Sequence, residues 1–264
     1  MSAAALEVDS RPFDLGPRKA KAAVLVLHGL TGTPYEVRPL GEALARAGLR
    51  ALGPALPGHN QTPELLARVR RDEWLASARQ ALETLRQTHS RIAVVGLSLG
   101  GLLALTLASE GHLDALAVVA TPLRLRVRAP LLPLLPALRR VVPYVHKKRG
   151  SDIRDDEARA RHPSYDRMPL ASVEQLRHLQ ASVRRNLGRV KAPILIAHGM
   201  HDATAHPDDA RAIAAAVGSH ERELLWLPSS GHVVPVDRDG PRLAAAITAH
   251  CMRCIRDLDT AGSE

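Results

Sequence analysis

The residues best suited to chemistry in this chain are one serine, one histidine and one aspartate, each in a short glycine-marked motif. Ser98 sits in Gly96-Leu97-Ser98-Leu99-Gly100-Gly101, directly after the apolar run Ile92-Ala93-Val94-Val95. A strand that breaks at Gly-x-Ser-x-Gly and continues as a helix makes a sharp turn in which a side chain at Gly96 or Gly100 would collide with backbone. The turn pushes the serine hydroxyl outward and sets it at a helix N-terminus, where developing negative charge is favoured. A serine used as a nucleophile needs a general base, and the base needs a carboxylate to orient it. His232, in Ser230-Gly231-His232, and Asp202, in His198-Gly199-Met200-His201-Asp202, each follow an apolar strand candidate. The chemistry that these three residues could perform is acyl transfer.

Acyl transfer also needs amides for the oxyanion of the tetrahedral intermediate. Leu99, directly after the serine, would give one. The loop His28-Gly29-Leu30-Thr31-Gly32-Thr33 would give the other at Leu30.

The elements that must position these residues follow a rhythm. Val24–Leu27, Arg50–Leu52, Ile92–Val95, Ala115–Val119, Ile194–Ala197 and Glu223–Leu227 read as strands. Helical patterns run over about 36–47, 72–88, from 99 onward, 207–217 and 241–257. This alternation predicts an α/β domain, a mostly parallel sheet with helices on both faces. Strand ends then share one rim, where Ser98, Asp202 and His232 can meet.

Between Thr121 and Lys191 the rhythm breaks. Seven prolines, from Pro122 to Pro169, lie among leucines and arginines, a density expected to forbid a long helix. The division predicted is a core of residues 1–120 and 191–264 with a cap or lid inserted at 121–190. That insertion carries 16 Lys/Arg and six Asp/Glu, a balance of +10, whereas the remainder, with 20 and 21, balances at −1. Leu131, Leu132, Leu134, Leu135, Leu138, Val141, Val142, Tyr144 and Val145 supply apolar surface. Arg124, Arg126, Arg128, Arg139, Arg140, Lys147, Lys148 and Arg149 surround it with positive charge. The segment reads either as a solvated arginine-rich surface over an acyl pocket or as a lid making weak contact with an anionic membrane surface.

Together these motifs resemble the α/β-hydrolase superfamily, and within it the small bacterial carboxylesterases and monoacylglycerol lipases. The matching pieces are His28-Gly29-Leu30-Thr31-Gly32, Leu56-Pro57-Gly58-His59, Gly96-Leu97-Ser98-Leu99-Gly100-Gly101, His198-Gly199 followed by Asp202, and Ser230-Gly231-His232-Val233. The resemblance implies a triad of Ser98, Asp202 and His232, an oxyanion hole from the amides of Leu30 and Leu99, and cleavage of carboxylic esters without a cofactor. Leu30 departs from the Phe common there, and Asn60 from a commoner Gly. His59 reads as a turn residue. An acyl-CoA thioesterase or acyltransferase could use the same triad, since the basic insertion could attract phosphates. The fold also serves as a non-catalytic small-molecule receptor, which has no need of a proton relay.

Other readings of single residues are less economical. His198, His201, Asp202 and His206 could hint at a metal, but the relay already uses Asp202, and no metal is expected. Asp166 and Asp237 are alternative carboxylates; Asp237 reads better as a helix cap. Cys251 and Cys254, at i and i+3, read as a packed pair rather than a redox motif. Aromatics make up only 2% of the chain, which argues against nucleic-acid binding on stacking platforms. With no secretory signal or membrane-spanning run legible, the expected location is the cytoplasm. The composition leaves the oligomeric state open.

Overall fold

Strand segments such as Ala22-Ala23-Val24-Leu25-Val26-Leu27 are buried at every position. That pattern belongs to a parallel sheet covered on both faces. In the computed structural model, which describes residues 8–125, 141–147 and 150–261, the main sheet has seven strands. These are β1 (Phe13–Leu15), β2 (Ala22–Leu27), β3 (Arg50–Gly53), β4 (Arg91–Leu97), β5 (Ala115–Val119), β8 (Ile194–Gly199) and β9 (Arg222–Leu227), in the order β1-β3-β2-β4-β5-β8-β9. All neighbours run parallel except β1, which pairs antiparallel with β3. The remaining two strands, β6 (Tyr144–His146) and β7 (Arg167–Pro169), form a separate antiparallel pair.

Alternation along each strand divides the core. Leu25, Val94, Val118 and Ile196 face one layer, with α3 (Arg71–Arg86) and α4 (Leu99–Glu110). Val24, Val95, Val119 and Leu195 face the other, with α1 (Arg38–Arg46) and the long C-terminal α8 (Gly240–Ala261). Cys251 and Cys254 lie buried in this second layer, as packing residues. Burial pushes the Cys251 thiol up to about 12. The fold is thus the α/β-hydrolase architecture expected.

Inside 121–190 the structure corrects one expectation. A 17-residue helix, α6 (Leu170–Asn186), follows the last proline. The prolines end at Pro169, which takes the N-cap position at φ −66, where a missing amide hydrogen costs nothing. From there Leu176, Leu179 and Val183 pack into the same layer as α4. Short helices α2 (Pro63–Arg68) and α5 (Asp156–Arg161) and a helix α7 (Pro207–Ala216) complete the elements used below. The positions Arg126, Arg128, Leu131, Leu132, Leu134, Leu135, Leu138, Arg139, Arg140, Lys148 and Arg149 lie outside the described residues. Among the described residues no helix is long and apolar enough to cross a membrane.

Candidate active site

Ser98 occupies the single residue between β4 and α4, with φ 54 and ψ −110. A non-glycine residue in this left-handed region costs about 1–3 kcal/mol. The cost is met by close packing around it. The Ser98 amide donates to the Val119 carbonyl at 2.9 Å. A Cβ on Gly96 would stand 2.2 Å from the Gly100 carbonyl oxygen, and one on Gly100 would stand 2.2 Å from the Leu27 oxygen. Both glycines are therefore required by space, as their spacing predicted.

His232 reaches Ser98 from the loop after β9. Its Nε2 lies 2.9 Å from Ser98 Oγ and its Nδ1 lies 2.8 Å from Asp202 Oδ2. A carboxylate only accepts, so Nδ1 carries the proton and Nε2 is left to accept from the serine hydroxyl. All three side chains are almost wholly buried. Burial pulls His232 down, but the Asp202 charge and hydrogen bond outweigh it and hold the imidazole above its ordinary value. Burial pushes Asp202 up, and the neighbouring His232 and His198 rings more than reverse this, leaving it well below the usual carboxylate range. The other Asp202 oxygen accepts from the amides of Thr204 (2.8 Å) and Ala205 (2.7 Å). The three residues expected to act together are thus brought into one relay.

Leu99 is the first residue of α4, so its amide has no acceptor within the helix. Leu30 lies in a turn closed by Gly32 N–H donating to the Gly29 carbonyl at 3.3 Å. Beneath that turn sits Glu36, buried, whose Oε2 accepts from the Gly29 amide at 2.9 Å. His28 is spoken for: its Nε2 accepts from the Leu56 amide at 3.0 Å. His59 packs edge-on against His28 at 4.9 Å between centroids and contacts the Pro57 carbonyl, the turn role expected of it. Asn60 has φ 57, a conformation that asparagine tolerates better than most residues, which accounts for its standing where glycine is commoner.

This arrangement of strand, strained serine, buried relay and strand-end loops is matched across most of the chain by one family model. The model described as "Serine aminopeptidase, S33" covers residues 18–239. The chain belongs to the S33 family of α/β hydrolases. This S33 member is 34% identical over 220 residues to a thermostable monoacylglycerol lipase of Bacillus sp. (strain H-257), covering 83% of this chain and 86% of the relative. It is 26% identical over 233 residues to a carboxylesterase of Bacillus subtilis (strain 168), covering 88% and 92%. A solved structure described as "LipS and LipT, two metagenome-derived lipolytic enzymes" superposes with a TM-score of 0.86 at 29% identity, covering 92% of this chain and 98% of the other.

Several residues around the S33 site escape sequence reasoning. Asp152 lies within 121–190, between β6 and α5. Its side chain accepts from the Ala203 amide (2.7 Å) and the Thr204 hydroxyl (3.0 Å), beside Asp202. Its own carbonyl accepts from the His232 amide at 2.9 Å. Asp237 is a correction: it does not cap α8. It is buried and accepts from the amides of Gly231 (2.8 Å), Arg154 (2.8 Å), Asp155 (2.9 Å) and Arg238 (2.8 Å), tying residues 154–155 to the histidine loop. The pull of four convergent amides outcompetes the helix end. Asp166 is exposed and lies beside β7. Lys147 is a second correction. The composition places it among the basic residues surrounding an apolar surface, but its ammonium turns inward to Thr31 and Ser164, at 2.6 Å from each hydroxyl. The histidines near Asp202 do not converge as ligands. His198 Nε2 stands 3.1 Å from Asp202 Oδ2, His201 is exposed, and His206 caps α7 by accepting from the Asp208 amide.

Proposed function

We propose that this S33 hydrolase cleaves carboxylic esters through an acyl-enzyme on Ser98. The observation that carries this reading is the continuous buried relay, 2.8 Å from Asp202 to His232 and 2.9 Å from His232 to Ser98. His232 takes the proton from the Ser98 hydroxyl as it attacks the ester carbonyl. The amides of Leu30 and Leu99 receive the oxyanion. Protonated His232 gives its proton to the departing alcohol. Water then attacks the acyl-serine, with the same histidine as base. Asp202 fixes the ring orientation and supports its charged form.

The substrate class is a monoacylglycerol or a short- to medium-chain ester. A relative named as a monoacylglycerol lipase and one named as a carboxylesterase support it, as does the leucine-rich composition of 121–190. The covering role belongs to the part of that insertion before Leu170, because α6 packs against α4. In the part described, Val141 and Val145 are exposed apolar residues, suited to a lipid or acyl surface.

A fluorophosphonate tests the nucleophile. One equivalent should label Ser98, and Ser98→Ala should lose both the label and the hydrolysis of p-nitrophenyl esters while keeping its circular dichroism spectrum. Folded protein that neither labels nor turns over esters sinks the reading and leaves a receptor. Rates on a monoacylglycerol, set against rates on acyl-CoA of the same chain, separate the ester hydrolase from a thioesterase; faster acyl-CoA cleavage would overturn the substrate class.

A further inference from the structure

Resting on the ester-hydrolase reading, with the Leu30 amide as an oxyanion donor, we propose that Lys147 is a positioning residue that reaches in from the insertion and fixes the oxyanion turn through Thr31. Thr31 follows Leu30 directly and is buried, at 1% exposure. Its φ is 65. A β-branched residue in the left-handed region is a genuine outlier, and the third position of such a turn ordinarily goes to glycine or asparagine. The threonine side chain is therefore held there by something that needs its hydroxyl. Thr31 Oγ1 accepts from Lys147 Nζ at 2.6 Å, and the same ammonium donates to Ser164 Oγ at 2.6 Å. Ser164 Oγ in turn donates to the Thr31 carbonyl at 3.2 Å. Charge-assisted bonds of this kind are roughly twice as strong as neutral ones.

The grip is anchored at both ends. Lys147 follows β6 and Ser164 precedes β7, and these two strands pair from Tyr144↔Pro169 to His146↔Arg167. The Lys147 amide also donates to the Asp166 carbonyl at 2.9 Å. Below, Glu36 holds the Gly29 amide. The turn is thus clamped between Glu36 in the core and Lys147 in the insertion, so the position of the Leu30 amide depends on both.

The charges facing this ammonium are Glu36, from the 3-10 helix Pro34–Val37 beneath the turn, and Asp166, beside β7. His28 and His162 lie around Glu36, the latter with Nε2 at 3.1 Å, and Tyr35 packs edge-on against His162. Burial lowers Lys147 to about 8 against the pull of Glu36 and Asp166. Lys147 is charged below that pH and neutral above it, so the grip weakens as pH rises through about 8.

The test compares native protein with Lys147→Met and Thr31→Gly on p-nitrophenyl butyrate, from about pH 6 to pH 10, alongside affinity for a boronic acid that forms a tetrahedral adduct on Ser98. Lys147→Met should lose roughly 10- to 100-fold in kcat, less than removal of an oxyanion donor outright. KM should move far less, boronate affinity should fall in parallel with kcat, and the alkaline fall in rate near pH 8 should disappear. Thr31→Gly relieves the backbone outlier, so its melting temperature should hold or rise while kcat falls as in Lys147→Met, and the two changes together should cost no more than one. A Lys147→Met protein with native kcat, a loss confined to KM, an unmoved alkaline limb, or a fully active Thr31→Gly would each overturn the proposal. Fluorophosphonate labelling of native Ser98 keeps the outcomes apart: unlabelled native protein defeats the ester-hydrolase reading, whereas labelled native protein with indifferent variants defeats only the role of Lys147.

Discussion

Replacing Asp202 by asparagine changes one atom, and the structure dictates which way the new amide must face. Oδ1 accepts from the amides of Thr204 and Ala205. An asparagine NH2 placed there would confront two donors and lose two buried hydrogen bonds, at about 1–3 kcal/mol each. Its carbonyl therefore stays on that side, and its NH2 takes the place of Oδ2. There it meets His232 Nδ1 at 2.8 Å and His198 Nε2 at 3.1 Å. A donor facing Nδ1 moves the ring proton onto Nε2, toward Ser98, and the base loses the lone pair it needs. The expected loss in kcat/KM is about 10⁴-fold, the scale known for a wrong histidine tautomer in a serine triad, or about 5.4 kcal/mol of transition-state stabilisation. The charge that holds His232 above its ordinary value is lost as well. Neutral His232 is the working form, so the residual rate should reach its plateau at a lower pH than in native protein. Steady-state kinetics on a p-nitrophenyl ester across pH, with a circular dichroism melt to verify folding, measure both effects. A folded Asp202→Asn protein within tenfold of native activity would refute the tautomer argument.

Gly96→Ala should cost about 3 kcal/mol, because its Cβ would stand 2.2 Å from the Gly100 oxygen; thermal melts should show a Tm lower by roughly 6–12 °C. Asp152→Ala removes the bonds to Ala203 and Thr204 but leaves the backbone bond to His232; kcat/KM should fall about tenfold, through kcat, on the scale of a misplaced catalytic group. Acid stability carries a sign that follows from burial. His59 is pushed down to about 3 by burial, so the unfolded chain takes up its proton first, and the stability present above about pH 6.5 is lost as pH falls toward 3. Glu36, pushed up by burial but held at about 2 by His162, His28 and the Gly29 amide, adds a loss between about pH 4.5 and 2. Urea melts at pH 7, 5 and 4 should give a steadily falling free energy of unfolding, and a flat profile would contradict both burials.

The relay was legible because each of its residues ends a strand in a local motif. Ser98 has glycines two residues to either side, and Asp202 and His232 each lie within a few residues of a buried strand end. The sheet was legible for the same reason: β2, β4, β5 and β8 are apolar at nearly every position. What escaped is polar and long-range. Glu36, Asp152 and Lys147 carry charges that read locally as solvated surface, and Asp237 reads as a helix cap, whereas partners of these residues lie as far as 116 positions away. β1 escaped because three residues at a sheet edge give no period to read. Its register is set instead by Phe13, whose ring fills the space where Gly41 and Gly53 lack a side chain. Helix α6 was hidden in a proline-dense segment because it begins only after the last proline, Pro169, and the positions of prolines rather than their number decide where a helix can run.

The Asp237 carboxylate has a consequence for how chains of this architecture can be recombined. By accepting from Arg154, Asp155 and Gly231 at once, it splices a stretch of 121–190 into the loop that carries the base. A graft cut at the sheet strands, exchanging everything between β5 and β8 for another family member's cover, would leave this carboxylate facing amides of foreign geometry and would misalign His232. An exchange that keeps residues 144–169 would retain that splice, together with Asp152, Ser164 and the Lys147 that binds Ser164. The interchangeable part of 121–190 is therefore smaller than the break in the strand-helix rhythm indicates, and attempts to change substrate range by swapping it should begin after Leu125 and end before Tyr144, so that β6 and Lys147 stay.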